Sequence, residues 1–182
     1  VNLGIWQTPR REIWGDALAQ AVNGTDGRVI LIGRGLACYL IAWFATAGSP
    51  DLVSKIVGAL LVAPPDLLHM ESDIAASFGP VLDTLLPFPS IIVASRNDVR
   101  MRYEGAQFIA QVWGSDCIDG GEIGSAGAIA DLGSWDHGKE LLKVLADEGL
   151  SDAVDLCGLD DETECPAAGL AVSADGTRPC AK

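Results

Sequence analysis

Between residues 28 and 65 the chain packs an apolar strand, a glycine turn, an apolar helix and a second apolar strand into so short a span that few folds accommodate it. Residues 28–32 read as a buried strand, residues 36–47 as a helix closed by Gly48 and Pro50, and residues 56–63 as a fully apolar strand ended by Pro64-Pro65. Strands apolar on both faces belong in a parallel sheet covered by helices on either side. The alternation continues with a third strand at 90–95, a helix at 103–113 ended by Gly114, and a short last strand at 117–119. A glycine-rich loop over 120–133 then leads to Trp135 and a helix over about 138–148. Upstream, Thr8-Pro9 supplies an N-cap and first helical position, and Ile13, Trp14, Ala17, Leu18, Ala21 and Val22 recur at helical spacing until Asn23-Gly24. Residues 66–89 read as irregular, with Phe78-Gly79-Pro80 and Pro87-Phe88-Pro89 framing a short helical stretch. The pattern predicts an α/β fold: three layers, α/β/α, around a mostly parallel sheet.

The 182 residues suit one domain, placed at residues 1–150, able to bury about 70% of its unfolded surface. Beyond residue 151 the apolar period stops, and Asp152, Asp155, Asp160, Asp161, Glu162, Glu164 and Asp175 face only Arg178 and Lys182. Residues 151–182 therefore read as an acidic, extended tail that orders against a partner. A net charge of −13 argues against a phosphate-binding surface, so nucleic acid is not an expected partner. The longest uncharged apolar run, residues 36–48, falls short of the roughly 20 residues that a membrane span requires.

Cys38 and Cys117 sit in apolar patterns where a thiol behaves as a small hydrophobe. Cys157, Cys165 and Cys180 lie in the tail at spacings that match no zinc signature, and their pairing is left open. No metal or cofactor is expected. The chain starts at Val1, which suits an organellar protein cut from a precursor.

The turn after the first strand carries the chemistry. A strand, a sharp turn and a helix form the setting of a nucleophile elbow, Gly-x-Ser-x-Gly, and here the pentapeptide is Gly33-Arg34-Gly35-Leu36-Ala37. Gly35 occupies the nucleophile's place and has no reacting atom. The same residues resemble a dinucleotide fingerprint, but Cys38 replaces its third glycine and Asp51 precedes the next strand rather than ending it.

Over residues 3–145 the chain resembles the small serine hydrolases of the retinoblastoma-binding protein nine and YdeN type. The matching stretches are Trp6-x-x-Pro9 with Trp14, residues 31–38, Leu60-Leu61-Val62-Ala63-Pro64-Pro65-Asp66, Phe78-Gly79-Pro80, Leu86-Pro87-Phe88-Pro89-Ser90, Ala94-Ser95-Arg96-Asn97-Asp98, Trp113-Gly114-Ser115 and Leu132-Gly133-Ser134-Trp135. The resemblance implies an α/β-hydrolase fold with a Ser-Asp-His triad. At the matching positions stand Gly35, Asp98 and Ser125, the last within Gly121-Glu122-Ile123-Gly124-Ser125-Ala126-Gly127 where the family's histidine belongs. Family members also open with a central strand and an oxyanion-hole loop. The present sequence begins at what the resemblance makes the next strand, residues 1–5, so the leading strand is expected to be missing.

Nucleophile or base loss alone costs about 10⁶ in turnover, and loss of an oxyanion donor about 10²–10³. The expected function is that of a catalytically inactive α/β-hydrolase-like subunit within a larger protein complex, one partner supplying the missing strand. The alternatives are a small serine-hydrolase-type esterase with a rearranged site, built on Cys38 with His69 or His137, and a small-ligand or nucleotide-binding module.

Overall fold

The fold was analysed in a computed structural model, which describes residues 1–4, 6–125 and 135–157. Its elements run α1 (Arg11–Asn23), β1 (Val29–Arg34), α2 (Leu36–Ala47), α3 (Pro50–Val53), β2 (Ile56–Val62), a 3₁₀ turn (Leu67–His69), α4 (Ser72–Phe78), β3 (Ser90–Ala94), α5 (Tyr103–Trp113), β4 (Asp116–Asp119) and α6 (Asp136–Cys157). The four strands pair in parallel in the order β1-β2-β3-β4.

Side-chain alternation along the strands divides the core into two layers. Ala59, Leu61, Ile92 and Ala94 point to one face and pack with α1, α2 and α5 residues such as Leu18, Leu40, Ile109 and Trp113. Leu60, Val62, Ile91 and Val93 point to the other and meet Leu141 and Leu145 of α6. Helices thus cover both faces of the sheet, the expected three-layer α/β/α arrangement. Glycines close the helices that flank it. The Gly48 N–H donates to the Phe44 carbonyl at the end of α2, and Gly114, at φ +67, turns the chain out of α5 in the left-handed conformation.

Several boundaries differ from the sequence reading. Helix α1 begins at Arg11 instead of Pro9, with Arg10 as a cap residue that makes no side-chain cap bond. The short helix of the irregular segment lies at Ser72–Phe78, before Phe78-Gly79-Pro80, and residues 81–86 are not helical. Residues 1–4 form no strand, and no strand among the described residues lies beside them to share backbone hydrogen bonds. The last helix runs on to Cys157, past the boundary drawn at residue 150, while residues 158–182 lie outside the described ones.

One edge of the sheet ends at β1, with no strand on its far side among the described residues. No described helix is long and apolar enough to cross a membrane.

Candidate functional site

The four strands send their C-terminal ends to one side of the sheet, where an open α/β fold places its ligands. Gly35 sits there, between β1 and α2, at φ 62° and ψ −127°, a conformation that side-chain-bearing residues rarely adopt. The turn is held at both ends: the Gly35 N–H donates to the Val62 carbonyl at 3.0 Å, and the Cys38 N–H to the Gly35 carbonyl at 3.1 Å. Just before it, α2 approaches so closely that a Cβ on Gly33 would lie 2.7 Å from Ile41 Cδ1 and 3.1 Å from the Ala37 backbone. The local geometry is a sharp strand-to-helix turn with an empty apex.

Asp98 lies on the loop after β3, where its carboxylate accepts the Arg100 N–H at 2.8 Å and shapes a local turn. The hollow bounded by Ala63, Pro64, Ala94, Ser95, Asp98, Met101 and Ala106 does not admit a water molecule. Ser125 lies on the neighbouring loop after β4. Asn97 ties the two loops together: its Oδ1 accepts the Gly124 N–H at 2.7 Å and the Ser95 hydroxyl at 2.8 Å, while the Arg96 N–H donates to the Gly121 carbonyl at 2.8 Å. Asp98 and Ser125 thereby sit on adjoining loops. Residues 126–134, the rest of the glycine-rich loop, lie outside the described residues.

Ser95, Arg96 and Asn97 entered the sequence reading only as part of the stretch leading to Asp98, with no role of their own, although a polar run directly after a fully apolar strand marks a loop suited to function. Arg96 pairs with Asp119, its Nε donating to Oδ2 at 2.6 Å, and this bond holds the Asp119 carboxyl below the usual carboxylate range. The pair's contribution is therefore present above the ordinary carboxylate pKa and is lost as pH falls through the lowered value. In an NMR titration, Asp119 is expected to protonate at lower pH than a free carboxylate. Arg96→Ala should raise the titration midpoint toward the ordinary range, with the Gly121 N–H, 2.8 Å from Asp119 Oδ1, still favouring the charged form.

The substitute nucleophile considered from the sequence is buried away from any base. Cys38 is fully enclosed, its Sγ lies 3.5 Å from the Gly33 carbonyl and 3.6 Å from that of Val62, and burial pushes the thiol up to about 12. A thiol so held stays protonated at neutral pH and is a poor nucleophile. His69 is exposed on the 3₁₀ turn, its Nδ1 2.8 Å from Asp66 Oδ2, and His137 is exposed in the first turn of α6. Iodoacetamide at pH 8 is accordingly expected to leave Cys38 unmodified in the native protein and to modify it in urea, as read by peptide mass. Among the described residues no group of three or more His, Cys, Asp or Glu side chains is placed to hold a metal.

A family model described as serine hydrolase matches residues 1–144. Among solved structures, a protein designated a YdeN-like hydrolase from Pectobacterium atrosepticum superposes with a TM-score of 0.65 at 29% identity, covering 80% of this chain and 72% of that one. A protein designated a thioesterase from a Silicibacter species gives 0.54 at 18% identity, over 69% of this chain and 55% of the other. No match to this chain was found among the curated proteins.

Proposed function

We propose that this chain, which belongs to the serine hydrolase family, is a noncatalytic member whose α/β-hydrolase framework serves as a structural or accessory subunit of a larger protein assembly. One observation carries the reading: at the apex of the strand-to-helix turn the residue is Gly35, held in the sharp conformation and bearing no hydroxyl or thiol. Acyl transfer needs a nucleophile and a base in hydrogen-bond reach. The position matching the base holds Ser125, and both histidines stand exposed on other elements. A framework kept while its reacting groups are replaced is consistent with use of the fold itself.

Two measurements test the reading. A fluorophosphonate probe is expected to leave the purified protein unlabelled, and the native protein is expected to recover in stoichiometric association with other subunits. Labelling of a serine, or ester turnover abolished by Cys38→Ala, would instead support the esterase reading. A monomer stabilised by one metabolite would support a ligand-binding module.

A further inference from the structure

Helix α5 covers β3 and β4, at the end of the sheet away from β1. Its inner face is apolar, with Ala106, Ile109, Ala110 and Trp113 buried in the core. A helix on the surface of a fold ordinarily turns charged residues outward. Helix α5 instead presents Phe108, 63% exposed, between the exposed Gln107 and Gln111, with the half-buried Val112 one turn further on. Leu85, 69% exposed, extends this face past the end of the helix, where a Cβ on Gly114 would lie 3.0 Å from its Cδ2. The Leu85 segment is fixed there by the Trp113 indole, which donates to the Leu82 carbonyl, and by the Leu86 N–H, which donates to the Trp113 carbonyl. Residues 84–95 and 105–115 contain no charged side chain. In a chain of net charge −13, a neutral outer face with an aromatic at its centre suits a surface that another molecule covers.

The charges that border this face point to the occupant. Arg102 and Glu104 stand at the start of the helix and Asp83 and Asp116 at its far end, all four exposed. Arg102, Asp83 and Asp116 make no ion pair among the described residues. Phe108 lies midway along Tyr103–Trp113, so a second copy laid antiparallel about a two-fold axis at Phe108 sets ring against ring. Glu104 then stands opposite Val112 of the second copy, within reach of the Gln111 amide, which can donate to it. Arg102 stands opposite Gly114, beside Asp83 and Asp116 of the second copy. Each of these contacts occurs twice. The face is thus complementary to its own inversion, a match that an unrelated partner would have to reproduce.

We propose that α5 is the two-fold interface of a homodimer, with Phe108 at the axis, Leu85 and Val112 around it, and Arg102 of each copy paired with Asp116 of the other. Elsewhere the described surface carries charge, and two chains of charge −13 repel wherever it does. The neutral face is where they can meet.

Sedimentation equilibrium of the full chain tests the contact, in about 0.15 M salt so that charges more than ~8 Å apart are screened. The parent is expected to dimerise with a Kd of about 1–10 μM, the weak end for a small interface. Phe108→Asp should raise that Kd by about 100-fold, because a ring is lost from both sides of the centre. Arg102→Glu should raise it by about tenfold, and adding Asp116→Arg to the same chain should recover the dimer, a rescue that misfolding cannot imitate. A parent that stays monomeric at about 200 μM would overturn the proposal. So would a dimer indifferent to Phe108→Asp, which indicates another face, a charge reversal that recovers nothing, or a monomer that uses Phe108 to hold a different subunit. The noncatalytic reading is decided separately: fluorophosphonate labelling would remove it and leave the dimer standing, and a monomeric parent would leave that reading untouched.

Discussion

Trp113→Ala is expected to destabilise the protein by about 3–5 kcal/mol, the range for removing a large aromatic side chain from a core. Trp113 is 1% exposed at the end of α5, and its ring meets Tyr39 edge-on with centroids 5.6 Å apart. Its indole N–H donates to the Leu82 carbonyl at 3.0 Å, and its own carbonyl accepts the Leu86 N–H at 2.9 Å. The side chain therefore joins the helix layer to the irregular segment that leads into β3. Truncation opens a cavity and strands the Leu82 carbonyl. Trp113→Phe keeps most of the packing and loses the hydrogen bond, worth about 1 kcal/mol net, so it should fall between wild type and Trp113→Ala. Urea unfolding with unchanged slope would assign both losses to the native state.

The same residue shows what can be read from the chain and what cannot. Helices Leu36–Ala47 and Tyr103–Trp113 match the sequence reading at both ends, because glycines stop them and apolar spacing fills them. Strands β2 and β3 were legible because each is a nearly unbroken apolar run, the pattern of a strand buried on both faces, and β1 because Val29–Ile32 is apolar up to the glycine turn. Helix α4 was misplaced because Ser72–Phe78 carries only Ile74 and Phe78 as large apolar residues, too few to set a period. The reach of α6 to Cys157 was missed although Leu150, Ala153, Val154 and Cys157 keep a helical spacing, because Asp152 and Asp155 between them were read as the start of the acidic tail.

Legibility of the site divides in the same way. The turn at Gly35 could be found because strand, glycine and helix are consecutive in sequence. The lattice of Ser95, Asn97 and Gly124 could not, since it joins residues 27 apart across two loops. The burial of Cys38 was foreseen from its apolar neighbours.

Gly35→Ala is expected to cost about 1–3 kcal/mol with no change in fold, the range for a side-chain-bearing residue held in a sparsely populated backbone conformation. The strain is unavoidable while the flanking bonds hold, because the Gly35 N–H is fixed to the Val62 carbonyl and its own carbonyl to the Cys38 N–H, which together define the turn. Chains that keep a serine at such an apex bear this cost for a nucleophile; here glycine relieves it, as expected where no nucleophile is used. Gly35→Ser adds the missing hydroxyl at similar cost, and with Ser125 at the position matching the base it is expected to stay unlabelled by a fluorophosphonate, since an unassisted serine reacts slowly. Thermal melts of both variants beside the labelling assay separate the two effects. A Gly35→Ser protein that labels rapidly would reveal a working base near the turn and leave Gly35 as the replacement that silences the chain, while a Gly35→Ala protein as stable as the parent would show that the turn relaxes at no cost.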